Sequence, residues 1–424
     1  MREMKNSGIE WIGDIPKTWD IVPHKVVMHK QKDICEHYNG EDIISLTMGG
    51  VVVRDLTAGG KMPTTFDGYQ YVEEEDLLLC LFDIDVTPRC VGVVKNNGIT
   101  SPAYSRFKVH NGFYNCYYDY LLRAIDNDKV FVHLSKNLRS SLTETDFGAI
   151  KTVAPPYEEQ KKIADFLDEK CAEIDTVIEK TKATIEEYKK LKQSVITQAV
   201  TKGIRPNRPM KDSGIEWIGK IPADWDVSRL KNVAIDFSKG NGITKEDIVL
   251  NGDTPCVRYG EIYTKYNQSF FECKTRTNKA IINTPKYFSY GDILFTCTGE
   301  LVEEIGKSIV YLGEGECLAG GDIVVLRHSQ HPSFLNYAVN STYAQSQKSC
   351  DKTKLKVVHI SASDIANIII VLPSVDEQEE IADYLDKKCI EIDELIAKKT
   401  SLLAELESYK KSLIYEYVTG KKEV

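Results

Sequence analysis

One segment of the chain carries part of a phosphate-binding loop. It runs from Gly299 to Ser308 and ends in Gly306-Lys307-Ser308, as loops that cradle nucleotide phosphates do. Such a loop needs a further glycine five positions ahead of the glycine of Gly-Lys-Ser. Here Leu301 stands at that place, and two acidic residues that would repel phosphates follow it. The spacing therefore argues against a nucleotide site.

A second segment, Ala154-Pro155-Pro156-Tyr157, has the shape of the Asn/Asp-Pro-Pro-Tyr/Phe loop of amino-methyltransferases. The first residue of that loop must accept hydrogen bonds from the amino group that is methylated. Alanine has no side-chain acceptor, and no glycine-rich cofactor loop follows a predicted strand. We interpret the two prolines as the entry into a long helix.

No spacing typical of a zinc protease, a serine hydrolase or a nuclease occurs in the sequence. Asp83 and Asp85 could hold a metal ion, but a lone Asp-x-Asp is a weak signal. We therefore expect no catalytic residues, no metal site and no bound cofactor in this chain.

The elements that would position any site are present twice. Residues 4–20 return at 210–226 with 13 of 17 positions identical, and residues 160–175 return at 378–393 with 11 of 16 identical. We call residues 4–20 and 210–226 the frame segments. Between the repeats lie two dissimilar inserts, residues 21–155 and 227–372. A chain built in this way is expected to do one job at two places, with a different target at each.

Two long helices are predicted over residues 157–203 and 375–420. Their apolar residues recur at alternating steps of three and four, a heptad seam that Lys192, Lys399 and Lys410 interrupt. We predict that the two seams pack on each other. Packing on each helix's own insert and binding to partner helices remain alternatives. The candidate interface residues are Leu167, Ile174, Ile178, Ile185, Leu385, Ile392, Ile396 and Leu403.

The inserts read as mixed α/β. Short apolar runs bounded by Gly, Asp and Pro predict buried strands at 77–79, 293–295, 323–325 and 368–370. Residues 113–125 and 332–341 are predicted to be helices. A faint echo links the inserts, since Asp76 and Asp292 each precede a strand that is followed by a polar loop.

The net charge of −9 argues at first against nucleic acid. The long-helix segments 158–203 and 376–423 supply −6 of it, so the remainder can still carry a basic face. The cysteines are scattered and include no C-x-x-C pair. Neither a signal region nor a membrane-spanning run is evident, and we expect a cytoplasmic protein without membrane contact.

Taken together, the repeats resemble the specificity subunit of type I restriction–modification systems. The resemblance rests on the repeated Ser-Gly-Ile-Glu-Trp-Ile-Gly-x-Ile-Pro-x-x-Trp of residues 7–19 and 213–225. It also rests on Glu159-Gln160 and Glu377-Gln378, each followed by Ile-Ala-Asp-Phe/Tyr-Leu-Asp, and it covers nearly the whole chain.

The resemblance implies an α+β fold: two mixed α/β target recognition domains separated by two long helices that form an antiparallel intramolecular coiled coil, with pseudo-two-fold symmetry. Its parts would be residues 1–20, the first frame segment; 21–155, the first recognition domain; 156–203, the first helix; 204–226, a linker and the second frame segment; 227–372, the second recognition domain; and 373–424, the second helix and tail.

The resemblance also implies a function. Each recognition domain would read one half of a split, asymmetric site on double-stranded DNA, and the helices would set the unread spacer. The frame, with Trp11 and Trp217, would recruit two methyltransferase subunits and, through them, the restriction/translocase subunits. S-adenosylmethionine, ATP and Mg²⁺ would belong to those partners.

Candidate DNA contacts in the first insert are Arg54, Arg89, Lys136 and Arg139. Arg89 follows a predicted strand and could pair with a guanine edge or a phosphate. Alternatively, it forms a structural ion pair with Asp83 or Asp85. Arg54 follows a Gly-Gly turn and is either a phosphate contact or a solvated side chain.

In the second insert Lys239 lies on a Gly-rich loop, and Arg258 alternates with aromatic residues. Lys352 and Lys354 belong to a basic run, 348–356, that is either a solvated face or a phosphate-binding one. The candidates are Lys239, Arg258, Tyr259, Tyr263, Lys352 and Lys354.

Two rival functions remain open. One is the recognition subunit of a bifunctional, type IIB-like restriction enzyme. The other is a scaffold with two ligand-binding domains and no DNA. The recognised DNA sequence cannot be decoded, because no code links such inserts to bases.

Overall fold

The computed structural model describes residues 2–57, 63–87, 89–127, 129–135, 140–281, 284–350, 352 and 358–424. They form two compact units. Unit 1 comprises residues 1–182 and 401–424, and unit 2 comprises residues 183–400. Each unit therefore contains one frame segment, one insert and parts of both long helices. Within the described residues, no helix is long and apolar enough to cross a membrane.

The first long helix spans Tyr157–Lys202 and the second spans Val375–Val418. The first begins directly after Pro156 and the second two residues after Pro373, and both carry two acids in the first turn, which favours a helix N-terminus. Each helix is followed by a glycine with positive φ, Gly203 at 75° and Gly420 at 70°. The predicted helices are confirmed to within two residues at either end.

Insert 1 holds two sheets, which we call sheet A and sheet B. Sheet A is antiparallel, with the strand order Val91–Val93, Leu77–Leu79, Ser105–Val109 and Met28–Gln31. Sheet B is mixed, with the order Ile34–Cys35, Tyr69–Val72, Gly98–Thr100, Ile43–Thr47 and Gly50–Val53. The helices are His24–Val27, Asn115–Asn127, Val130–Leu134 and Glu144–Ala149.

Insert 2 repeats this arrangement. Its sheet A has the order Ala234–Lys239, Ile323–His328, Ile293–Thr296, Ser308–Tyr311 and Ser269–Phe270. Its sheet B has the order Thr275–Thr277, Thr254–Val257, Cys317–Ala319 and Tyr287–Phe288. A short ribbon pairs Thr298–Gly299 with Val358–His359. The helices are Leu230–Val233, Tyr259–Thr264, Lys279–Ile281, Val302–Glu304, Pro332–Val339, Thr342–Ser349 and Ala362–Ala366, the third and fourth being 3-10 turns.

The two inserts, dissimilar in sequence, thus share one fold. In each, the one parallel pair of sheet B joins equivalent strands, Gly98–Thr100 with Ile43–Thr47 and Cys317–Ala319 with Thr254–Val257. The strands follow one another in the same chain order. The echo at Asp76 and Asp292 therefore marks equivalent positions.

The frame segments and the insert ends form two-stranded ribbons. Each frame segment folds on itself, pairing Met4–Asn6 with Asp14–Pro16 and Met210–Asp212 with Lys220–Pro222. The first and last strands of each insert also pair, Asp20–Pro23 with Lys151–Ala154 and Asp226–Arg229 with Ile369–Leu372. These ribbons fix where each insert leaves and rejoins the helical frame.

Candidate nucleic-acid interface and helical frame

An Asp–Arg ion pair links the central strands of sheet A in each insert, and in insert 1 it is buried. In insert 1, Asp76 Oδ2 accepts hydrogen bonds from Glu73 N at 2.7 Å and from Arg106 Nε at 2.5 Å. Asp76 and Arg106 are both buried. Charge-assisted bonds of this kind fix the strand that leads into the loop at 81–90.

The same device recurs in insert 2. Asp292 Oδ2 accepts hydrogen bonds from Ser289 N at 2.9 Å and from Arg327 Nη2 at 3.1 Å. Arg327, however, is 45% exposed, whereas Arg106 is 2% exposed. The sequence echo hinted at the acids, but neither arginine partner was foreseen.

Three segments of insert 1 meet beyond the strand Leu77–Leu79. They are the turn at 47–50, the loop at 81–90 and the segment at 140–142. Arg89 Nη1 donates to Met48 O at 3.1 Å, which joins the first two. Ile84 N donates to Ser140 O at 3.0 Å, which joins the second and third. These segments carry or flank the predicted contact residues of insert 1.

Arg89 is half-buried, and its Nε also donates to Val91 O at 2.9 Å. Desolvation by burial lowers its pKa, and its Nη2 has no hydrogen-bond partner among the described residues. No ion pair joins Arg89 to Asp83 or Asp85 in the described part of the chain. The alternative of a structural pair with those acids is therefore wrong, and Arg89 instead braces the turn at 47–50.

Arg54 lies at the other end of the strand Gly50–Val53, away from the turn that Arg89 contacts. Its backbone N donates to Ile43 O, and its charge lowers the pKa of Tyr104, although burial raises it overall. The Tyr104 ring stacks on Phe82 in the loop at 81–90. Arg54 thus lies near Tyr104, which packs on this loop. Lys136 and Arg139 lie outside the described residues.

In insert 2 the Gly-rich loop packs on a second glycine pair. A Cβ on Gly240 would lie 2.1 Å from Gly320 O, and a Cβ on Gly320 would lie 3.2 Å from the Cα of Arg258. Only glycine fits at this close approach. The packing brings the loop that follows Lys239 next to Arg258. Lys239 itself is the last residue of the strand Ala234–Lys239, so its predicted place on the Gly-rich loop is wrong by one residue. Lys239 is exposed and lies 3.9 Å from Asp322.

Arg258 is half-buried, 3.6 Å from Glu261, and its Nε has no partner among the described residues. Tyr259 is 40% exposed. Tyr263 has a structural role, because its hydroxyl lies 2.7 Å from Thr296 Oγ1 and burial raises its pKa. Of the two tyrosines, only Tyr259 presents its ring to solvent.

The described lysines of the basic run at 348–356 differ in burial. Lys348 is buried, with Nζ donating to Gly306 O at 2.7 Å and lying 5.6 Å from the centre of the Phe295 ring. Burial lowers its pKa to about 7. Lys352 is half-buried, 3.4 Å from Asp364, and Lys354 lies outside the described residues. The solvated-face interpretation fails for Lys348, since a tertiary contact that the sequence does not reveal buries it.

The two long helices pack on each other in both units. In unit 1, Leu167, Ile174 and Ile178 share one core with Leu413 and Ile414. Unit 2 has an equivalent core, in which Ile196 and Val200 of the first helix meet Ile381, Leu385 and Cys389 of the second. Ile185 and Ile392 are also buried, whereas Ile396 and Leu403 are half-buried. The predicted antiparallel pairing is confirmed.

Two of the charges that interrupt the seams are paired. Lys410 Nζ lies 2.6 Å from Asp175 in unit 1, and Lys192 Nζ lies 2.6 Å from Asp393 in unit 2. Each partner is displaced by 218 residues from its counterpart, so the ion pairs obey the same repeat as the helices.

Each frame segment is fixed to a helix start through its second tryptophan. In unit 1 the buried Trp19 donates from Nε1 to Glu159 Oε2 at 3.0 Å, and Arg2 pairs with the same carboxylate. In unit 2 the buried Trp225 donates to Glu377 Oε2 at 2.9 Å. Arg208 forms an ion pair with the carboxylate of Glu377, as Arg2 does with that of Glu159.

The glutamine after each glutamate anchors the insert. Gln160 Nε2 donates to Pro155 O at 2.7 Å, and Gln378 Nε2 donates to Pro373 O at 3.0 Å. The repeated Glu-Gln therefore links frame, helix and insert in both units. Within the described residues, no group of three or more His, Cys, Asp or Glu side chains could hold a metal ion.

The first tryptophan of each frame segment behaves differently in the two units. Trp11 is half-buried beside Tyr415, whose hydroxyl donates to Trp11 O at 2.9 Å. Trp217 is 58% exposed. The repeat made these residues candidates together, but it could not reveal this difference.

Comparisons with known proteins agree with this architecture. Residues 222–407 match the family model described as the type I restriction modification DNA specificity domain. A chain from a structural study of complex assembly and conformational transition of the type I R-M system aligns with a TM-score of 0.72 and 16% identity, covering 96% of this chain and 99% of that one. The HsdS subunit of Thermoanaerobacter tengcongensis aligns with a TM-score of 0.51 and 16% identity, covering 96% and 98%.

Curated relatives include two proteins of Methanocaldococcus jannaschii. The type I restriction enzyme MjaVIII specificity subunit is 27% identical over 65% of this chain and 63% of its own length. The putative MjaX specificity subunit is 27% identical over 71% and 67%. The EcoKI specificity subunit of Escherichia coli K12 is 23% identical over 66% and 60%. The chain thus spans less than two thirds of the MjaVIII and EcoKI subunits.

Proposed function

We propose that this chain, which belongs to the family of type I restriction–modification specificity subunits, binds a bipartite DNA site with one insert on each half. The carrying observation is that two inserts of one fold present different loops after equivalent strands. A common scaffold with unlike loops suits two unlike half-sites on one duplex.

The contact surface in insert 1 comprises the turn at 47–50 and the loop at 81–90, with Arg89 and Arg54 as its described cations. In insert 2 it comprises Lys239 at the end of its strand, the loop at 240–242, Arg258, Tyr259 and Lys352. Arg89 and Arg258 are both half-buried cations at these loops, and a guanidinium group suits a base edge or a phosphate. Lys239 and Lys352 suit phosphate.

The paired helices would set the unread spacer. A helix rises about 1.5 Å per residue, and the buried seams and the repeated ion pairs resist sliding of one helix along the other. A flexible linker of the same length would give a distribution of spacings instead.

The frame would recruit two methyltransferase subunits, and restriction/translocase subunits through them. Under this proposal adenine methylation and DNA cleavage occur on those partners, which would hold S-adenosylmethionine, ATP and Mg²⁺. A duplicated frame accounts for two copies of one partner.

The test requires the complex of this chain with its modification subunits. Methylation mapping of the host genome would give the two half-sites and the spacer. Binding is then measured to the intact duplex and to duplexes altered in either half. Arg258→Ala is expected to lose about 5- to 100-fold in affinity, with discrimination lost at one half-site only.

Arg89 is tested as Arg89→Lys, which keeps the charge but removes the planar fork, because Arg89→Ala also releases the turn at 47–50. The expected loss falls on the other half-site. Lys352→Ala should lower the salt dependence of binding by about one ion without altering sequence preference. Lys398→Ala, an exposed lysine on the second long helix, is the matched control. Equal losses against both half-sites would refute the assignment of one insert to each half.

A further inference from the structure

Unit 2 contains an open groove whose lining residues all belong to that unit. It has a volume of about 690 Å³ and lies between the last turns of the first long helix and the second frame segment. Its walls include Lys190, Gln198, Lys202 and Trp217. Trp217 is the exposed aromatic residue of this wall.

The internal repeat shows which residue stands at the equivalent position in unit 1. A displacement of 218 residues relates Thr197, in the groove, to Tyr415 of the second long helix. The Tyr415 side chain packs against the core beside Trp11, and its hydroxyl donates to Trp11 O. Thr197 carries no ring and instead accepts a hydrogen bond from Thr342 N at 3.0 Å.

The charge of the groove restricts its occupant further. Lys190 and Lys202 are exposed, and neither has an ion-pair partner among the described residues. The described residues that line the groove include no carboxylate. A segment that enters it with an aromatic side chain would therefore gain from acidic neighbours.

We propose that this groove docks a segment of the methyltransferase subunit that presents a tyrosine or phenylalanine flanked by acidic side chains. The ring would lie beside Trp217, at the place that corresponds to that of Tyr415 beside Trp11 in unit 1. An aromatic residue seated beside a tryptophan is a common centre of binding energy at protein interfaces. The two places at which methyltransferase subunits dock are then not equivalent, because unit 1 supplies this ring from its own chain.

The inference rests on the proposed function, and the test separates the two. Stepwise binding of the modification subunit to the full chain is measured by native mass spectrometry and sedimentation. The unaltered chain should bind two copies with different affinities. Thr197→Tyr, which supplies the ring from within as unit 1 does, should weaken one binding step at least about tenfold and leave the other unchanged.

Lys190→Glu combined with Lys202→Glu should weaken the same step, and Thr197→Val, which preserves size without a ring, should not. The unchanged step shows that the variants remain folded. A photo-crosslinking residue at position 217 should label the modification subunit next to an aromatic residue with acidic neighbours.

Equal effects on both steps, no effect, or labelling of DNA or of a second copy of this chain would overturn the inference while leaving the proposed function standing. Failure of the unaltered chain to bind any modification subunit would overturn both.

Discussion

Insert 1 joins the strands Ile43–Thr47 and Gly50–Val53 by two residues, whereas insert 2 joins the equivalent strands through residues 258–274, which include a helix and an added strand. The strand order around these connections is the same in both. The difference lies where the DNA contacts are proposed. Core packing and the Asp–Arg pair fix the sheets, so the connections are free to diverge without loss of the fold.

The frame segments and the long helices, unlike the inserts, keep several of the same contacts in both units. The Trp–Glu–Arg contacts, the Glu-Gln anchors and the Lys–Asp pairs recur in both units, with a displacement of 206 residues in the frame segments and of 218 in the helices. Under the proposed function, a surface that binds the same partner twice is under such a constraint, and a surface that reads different DNA is not. The predictions below test how far the two units are equivalent.

The largest expected difference concerns the Asp–Arg pairs. Arg106→Ala leaves the carboxylate of Asp76 buried and short of a donor, and should destabilise insert 1 by about 3–5 kcal/mol. Arg327→Ala should cost about 1–2 kcal/mol, because water can reach the place of its exposed guanidinium. Urea unfolding followed by peptide-resolved hydrogen exchange assigns each loss to its insert. Equal losses would show that exposure does not matter here.

The pH dependence of stability should also separate the units. Burial lowers the pKa of His24 in unit 1 from 6.5 to about 4 and that of Lys348 in unit 2 from 10.5 to about 7. In both cases the unfolded chain binds the proton first. Unit 1 therefore loses stability as the pH falls from about 6.5 to 4, and unit 2 as it falls from about 10.5 to 7, each with a slope of up to about 1.4 kcal/mol per pH unit.

Hydrogen exchange of each unit across pH, compared with His24→Phe and Lys348→Met, checks this. Each substitution should make the stability of its own unit less dependent on pH, because it removes the group whose pKa is lowered in that unit. The stability of the other unit should keep its dependence on pH. A profile that Lys348→Met leaves unchanged would show that Lys348 is charged in the folded state.

A smaller effect is expected at the frame tryptophans. Phenylalanine in place of Trp19 or Trp225 preserves the packing but removes the indole donor from Glu159 or Glu377. The loss should be about 1–3 kcal/mol. It should be larger for Trp225→Phe, because Glu377 is more deeply buried than Glu159. Thermal unfolding with resolved transitions measures it. A larger loss for Trp19→Phe would contradict this ranking.

The smallest effect concerns the ion pairs between the helices. Lys192→Asp should destabilise unit 2 by about 0.5–1 kcal/mol, and Asp393→Lys in the same chain should restore the loss. Lys410→Asp and Asp175→Lys should behave alike in unit 1. The losses should shrink in high salt. A double variant no better than the singles would show that these pairs do not hold the register.

The helices and the frame could be predicted from the sequence because their signals are local or repeated. The heptad steps from Leu167 to Ile185 need no tertiary knowledge, and the identity between segments identifies the frame. The common fold of the inserts could not be predicted, since their strands are two to six residues long and their shared residues are reduced to Asp76 and Asp292.

The candidate site was predictable only as loops. The sequence placed Arg89 and Arg258 after strands, but Arg89 owes its fixed orientation to the carbonyl of Met48, 41 residues away. Lys348 looks like any member of a basic run until Gly306 and Phe295 enclose it. Such contacts depend on which loops meet, and spacing alone does not reveal that.

The division of the chain into units has a consequence for synthesis on the ribosome. Unit 2 is one continuous stretch, residues 183–400, whereas unit 1 needs Leu413, Ile414 and Val418 to cover the apolar side of the first helix. Unit 1, whose first segment is translated before unit 2, is therefore completed only after unit 2. Until those final turns emerge from the ribosome, the apolar side chains of Leu167 and Ile174 are exposed, and chaperones or other unfolded chains can bind them.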